Sequence, residues 1–130
     1  MSLPVNARVR AAPNFLACLT AARSFMTEQD ATSEPARFKK LQAEVMKARA
    51  LLAFAPTSGR PARFLEATSG WGRFQAEQAG QLAQALGTPE LRELVLARHL
   101  LLYAHSEHDV VLLSMRHERQ LGHGLSSPSA

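Results

Sequence analysis

The sequence is short of the residues on which several kinds of chemistry and anchoring depend. Cys18 is the only cysteine, which rules out an internal disulfide and argues against a thiolate metal site. It sits in the apolar run Phe15-Leu16-Ala17-Cys18-Leu19, where a small buried hydrophobe is a better reading than a nucleophile. No apolar run approaches the roughly 18 residues that a membrane span needs, so no membrane partner is expected. The opening stretch MSLPVNARVR has no apolar segment after its charges. A secretory signal is therefore not expected, and the cytoplasm is the expected compartment. Glycine and proline are also sparse, 7 of each, while 46% of the 130 residues are hydrophobic. That balance suits one compact core rather than a disordered chain.

Catalytic signatures are missing as well. There is no nucleophile elbow, no P-loop, no G-x-G-x-x-G and no H-E-x-x-H. His117-Glu118 runs on as Arg119, which removes the metalloprotease pattern. Ordinary metabolic chemistry thus has no motif to stand on, and neither a cofactor nor a metal is expected.

What is present is positive charge in one place. The net charge is +4 and the pI about 10.0. Residues 35–73 hold Arg37, Lys39, Lys40, Lys47, Arg49, Arg60, Arg63 and Arg73 against Glu44 and Glu66, a surplus of six. A basic middle segment suggests an anionic partner, nucleic acid or an acidic protein. The plainer reading of the helical lysines is a solvated face.

Periodicity supplies the elements. Leu3, Val5, Ala7, Val9 and Ala11 alternate with polar residues and predict a strand over 3–11. Pro13 then suits the first turn of a helix carrying Phe15, Leu16, Leu19, Ala22 and Met26 and ending near Gln29-Asp30. Phe38, Leu41, Val45, Ala48 and Leu52 predict a second helix, stopped by Pro56, so the two should form an antiparallel hairpin. Thr57 to Pro61 reads as a loop. A weaker Ala- and Gln-rich helix is expected over 71–86. Three strands follow, at Leu91–Ala97, Leu100–Ala104 and Val110–Met115, with reversals at Arg98-His99 and at Ser106 to Asp109. The expected class is α+β: N-terminal strand, helical hairpin, extra helix and a three-stranded antiparallel meander that the first strand can join. A single domain over 1–125 is expected, with 66–90 as an inserted helical segment and 126–130 as a frayed tail.

The five histidines all fall between 99 and 123. His105-x-x-His108 straddles a turn and matches no zinc spacing, so ordinary turn or surface histidines are the better reading for all but His117. Arginines are the more informative set: Arg92, Arg98, Arg116 and Arg119 on the meander, with Arg60 and Arg63 in the preceding loop. Arg92 shares a face with Leu94 and Leu96. Arginines at strand ends can clamp phosphate, and a histidine beside them can exchange protons near neutral pH. Such a set could cut RNA with the 2′-hydroxyl as internal nucleophile. Alternatively, the arginines pair with Glu93 and Glu118 at the sheet edge.

These segments resemble a known family. Leu91-Arg92-Glu93-Leu94-Val95, then Leu100 to Tyr103, then Val110 through Arg119 look like the C-terminal meander of RelE/ParE toxins from type II toxin–antitoxin systems. Ser58-Gly59-Arg60-Pro61 is similar to the loop after that family's second helix, and Pro13–Phe15 to the start of its first. The resemblance implies a strand–helix–helix–meander fold and a plasmid-stabilisation toxin held inactive by a cognate antitoxin. A homodimer when free, or a hetero-oligomer with the antitoxin, would follow. The "RHxR" ending and "GRP" loop look more ParE-like, implying growth inhibition through DNA gyrase. The alternatives are a RelE-like, ribosome-dependent mRNA endoribonuclease needing no metal, and a non-toxic binding module. For the ribonuclease, the resemblance implies Arg92, Arg116 and His117 as catalytic; Arg60, Arg98 and Arg119 are the binding candidates. The stretch between Pro61 and Leu91 is longer than the family pattern, so residues 66–90 could cover or reshape the usual active face.

Overall fold

The computed structural model describes residues 6–62 and 70–117. Strand β1, Arg8–Ala11, leads through Ala12 into helix α1, Pro13–Gln29, with Pro13 in the first turn, where its missing N–H costs nothing. Asp30 ends the helix. Its backbone N–H donates to the Met26 carbonyl at 3.0 Å, and its Oδ1 accepts from the Thr32 N–H at 3.0 Å. Helix α2, Glu34–Phe54, starts with Pro35 in its own first turn and stops at Ala55, one residue before Pro56. Arg23 pairs with the buried Glu34 and lies 5.1 Å over the Phe38 ring. Arg37 reaches back to Gln29 at 3.0 Å. These contacts pin the turn end of the hairpin.

A short 3₁₀ turn, Pro56–Ser58, leads to strand β2, Arg60–Pro61. Helix α3 spans Gly70–Ala85, followed by β3, Glu90–Val95, β4, His99–His105, and β5, Asp109–His117. The sheet order is β1-β5-β4-β3-β2. β1 runs parallel to β5, and every other pairing is antiparallel. The parallel pair is possible because the helical hairpin supplies the crossover that two parallel neighbours need. All of β4, His-Leu-Leu-Leu-Tyr-Ala-His, is buried, which explains its near-continuous apolar run: a central strand packed on both faces has no solvent side to alternate with. Leu102 pairs with Ser114 but Tyr103 with Leu112, so Leu113 has no partner opposite it and β5 bulges there.

Two cores result, one on each face. The helical hairpin covers the first with Phe15, Met26, Leu41, Val45, Ala48 and Leu52 packed on Val9, Leu101, Tyr103, Val110, Leu112 and Met115. Helix α3 covers the second, setting Ala79 and Ala83 against Leu91, Leu102, Ala104, Val111 and Leu113. Residues of the expected inserted segment therefore do pack on the sheet face opposite the hairpin.

The α+β class and element order are as the sequence predicts, with three corrections. The sheet is five-stranded and mixed, not a three-stranded meander: β1 adds in parallel, and Arg60-Pro61, expected as loop, pairs with β3. Proline is tolerated there because β2 is the edge strand. The first reversal is Ala97-Arg98, with His99 already in β4 and accepting the Leu96 N–H on its carbonyl at 2.8 Å. Within the described residues the first strand begins at Arg8, because Ala7 gives its N–H to the Ala53 carbonyl of α2 at 2.7 Å instead. Residues 3–5 of the expected strand lie outside the described part. No helix among the described residues is long and apolar enough to cross a membrane.

Candidate functional site

On the hairpin face, one tyrosine and one arginine tie the post-helical turn to the sheet. The Tyr103 hydroxyl donates to the Pro56 carbonyl at 2.5 Å and accepts the Gly59 N–H at 2.9 Å. Arg92 donates through Nη1 to the Gly59 carbonyl at 2.9 Å and through Nε to His105 Nε2 at 3.0 Å. An arginine N–H can only donate, so Nε2 must be the acceptor and the proton of a neutral His105 sits on Nδ1. Nδ1 lies 3.2 Å from the Ser106 carbonyl, placed to receive that proton's bond. Burial pushes the Tyr103 hydroxyl above its ordinary pKa, against the opposing pull of the Gly59 N–H and the Arg92 charge. Gly59 is required by proximity: a Cβ there would lie 2.6 Å from the Glu93 carbonyl and 2.7 Å from the Tyr103 hydroxyl.

The opposite face carries a polar row that passes through Leu102 of the second core. Arg60 stands opposite Glu93, Glu93 opposite Leu102, and Leu102 opposite Ser114. Arg116, two residues past Ser114, shares its face. Glu93 is 2% exposed and Ser114 fully buried. The Arg60 Nε is buried and has no hydrogen-bond partner among the described residues, a costly arrangement for a charged donor. Chemically, Arg60 and Arg116 offer cationic donors suited to an anion, with the Glu93 carboxylate set between them as a counter-charge.

The sequence-predicted residues divide between these places. Arg92 belongs to the hairpin face and is engaged with Gly59 and His105. Arg116 projects to the α3 face. His117 returns to the hairpin face, opposite His99, with the two rings edge-to-face at 5.2 Å between centroids. β5 stays paired through His117, and its bulge lies earlier, at Leu113. Adjacent residues on such a strand point to opposite faces. Arg92 faces Tyr103 while His117 faces His99, four positions along β4 and so roughly 13 Å apart by strand rise. The three do not share one pocket. Arg60 comes beside Glu93, Arg98 sits exposed in the β3–β4 turn, and Arg119 lies outside the described residues. Among the described residues no three His, Cys, Asp or Glu side chains gather as a metal would need.

The sequence reading gives Tyr103 and Ser114 no role of their own and takes His105 as an ordinary turn or surface histidine, whereas it is a buried residue of β4. Tyr103 had a readable signal: a lone tyrosine inside an apolar strand must find a partner for its hydroxyl once buried. His105 and Ser114 had none, because their roles depend on strand register. The chain matches no protein-family model, and no curated protein is significantly similar to it.

Proposed function

We propose that this chain is the toxin component of a toxin–antitoxin, plasmid-stabilisation module. It is read as a ParE-like growth inhibitor that acts in the cytoplasm by binding DNA gyrase and is restrained by a cognate antitoxin. Two things support this reading. The resemblance in Leu91 to Arg119 implies a strand, a helical hairpin and an antiparallel meander, and the chain has that order. A fold hosts many functions, so the site must carry the argument. The carrying observation is the separation of Arg92, Arg116 and His117 onto two faces and two ends of the sheet. Concerted acid–base cleavage of RNA needs its groups around one phosphate. A poison that works by binding needs no such convergence.

The ribonuclease reading keeps one specific support, the row Arg60, Glu93, Ser114 and Arg116 with its unsatisfied arginine nitrogen. On that reading Arg116 holds developing charge with Arg60, a binding candidate from the sequence, while Glu93 and Ser114 take the places the sequence reading gave to Arg92 and His117.

The test is expression without a partner, followed by gyrase-mediated DNA breakage and ribosome-dependent mRNA cleavage assayed side by side. Growth arrest and gyrase-dependent breakage are expected, with His117→Gln nearly silent in both. mRNA cleavage that falls about 10²–10⁴-fold in His117→Gln, the usual worth of an acid–base group, would overturn the proposal. Normal growth at confirmed soluble expression would favour the non-toxic module.

A further inference from the structure

β1 lies at one edge of the sheet. Its Arg8 and Ala12 N–H groups donate to the His108 and Leu112 carbonyls of the β5 side, at 2.9 and 2.8 Å. In a parallel ladder, alternate residues turn both backbone groups the same way. Val9 and Ala11 therefore turn theirs outward. Arg49 of α2 reaches across to the Val9 carbonyl at 3.1 Å, and among the described residues nothing takes the Val9 N–H or either group of Ala11. An edge with unclaimed groups is a template for another strand unless charge or cover blunts it. Among the described residues the cover is one long, exposed arginine, Arg49.

Beside this edge runs a shallow groove of about 320 Å³, lined by Ala7 and Val9 of β1 and by Met46, Arg49, Ala50 and Ala53 of α2. Met46 is 61% exposed and offers this groove its largest apolar side chain. Lys39 falls on the same flank of α2 as Met46, two turns earlier. On the other face of β1, Arg8 and Arg10 are exposed, and Arg8 makes a 3.5 Å ion pair with the partly exposed Asp109. The two sides of the edge thus differ: one apolar and bounded by cations, the other plainly cationic.

We propose that this edge and groove receive an extended peptide segment of a partner protein, added as a sixth strand beside β1, with apolar and acidic side chains in alternation. A strand's side chains alternate between faces, so one set lies on Ala7, Val9, Met46, Ala50 and Ala53. The other set meets Arg8 and Arg10. Main-chain pairing to Val9 and Ala11 supplies the register, with Arg49 releasing the Val9 carbonyl to an N–H of the incoming strand. The inference stands apart from the toxin reading; under that reading, the segment belongs to the antitoxin.

The experiment uses the full chain and a short fluorescent peptide alternating valine with glutamate. Its controls are a scrambled peptide of the same composition and two forms N-methylated on alternate amides. Binding by anisotropy is expected to weaken at least roughly tenfold on scrambling and to weaken further as salt rises. N-methylation should abolish it in one register and spare it in the other. Ala50→Glu, on the exposed helix surface, should abolish binding while leaving the circular-dichroism melt unchanged. Arg10→Glu is the second variant and should weaken the alternating peptide more than the scrambled one. Equal binding of the scrambled peptide, insensitivity to N-methylation, no binding at all, or self-association through this edge would each overturn the proposal. Growth arrest with no peptide binding would refute this inference and leave the toxin reading intact; peptide binding without growth arrest would do the reverse.

Discussion

The two faces of this sheet are closed by different means. On the hairpin face the seals are large: Phe15, Leu41 and Leu52 from the helices against Leu101, Tyr103 and Leu112 from the strands. On the α3 face the fully buried seals are small, Ala79 and Ala83 against Leu91, Ala104 and Leu113, with Leu82 and Leu86 only partly buried beside them. Small side chains let a helix approach closely but bury little area each, and buried area is what drives association of such layers. Polar side chains occur on both faces. The α3 face holds Glu93 and Ser114, whereas the hairpin face holds Tyr103, its hydroxyl satisfied by Pro56 and Gly59, and the Arg92–His105 pair. The comparison teaches that the hairpin face carries the larger apolar core, while polar side chains are set into both faces.

Truncation should expose that division most sharply. Phe15→Ala removes a side chain that is 1% exposed in the middle of the hairpin core and should cost about 3–5 kcal/mol in urea unfolding. The matching perturbation of the other face is an addition. Ala83→Leu forces three more carbons into a fully buried alanine site and should cost about 1–3 kcal/mol. If Ala83→Leu proves as damaging as Phe15→Ala, the faces are equally committed to stability and the contrast fails. If it is free of cost, α3 does not pack as closely as Ala79 and Ala83 indicate.

The same asymmetry governs what could be read in advance. The stripe Phe38, Leu41, Val45, Ala48, Leu52 is a strong helical period, and those positions are the ones α2 buries or half-buries. α3 buries alanines fully and Leu82 only in part, and alanine carries little hydrophobic contrast, so its helix was legible and most of its buried face was not. Strand β2 is two residues long and owes its existence to pairing with β3, a long-range contact with no local signature. The candidate site was legible by residue type and illegible by geometry. Arg92, Arg116 and His117 are correct as strand positions, but the Leu113 bulge and the Tyr103–Gly59 anchor decide where they point. Both depend on register between distant segments, which side-chain spacing along one strand cannot reveal.

The Tyr103 anchor of the hairpin face gives the smallest effect, a pH dependence that appears only in alkaline solution. Tyr103 is fully buried, and burial raises its pKa above the ordinary value of 10.0. Below 10.0 the hydroxyl is protonated in folded and unfolded chains alike, and its bonds to Pro56 and Gly59 contribute in full. Above that value the unfolded chain releases the proton first, so unfolding gains free energy with rising pH until the folded hydroxyl ionises too. The stability of the wild type should therefore decline as pH climbs past 10.0. Tyr103→Phe should start lower, by about 1–3 kcal/mol for the Gly59 N–H and Pro56 carbonyl left without their partner. It should then lack Tyr103's share of that decline, so the two stabilities converge at high pH. Tyr103 is the only tyrosine, so tyrosinate absorbance in the folded protein reports this hydroxyl alone. Ionisation at the ordinary value, with the fold intact, would mean that water reaches the hydroxyl and that the hairpin face is no drier than the α3 face.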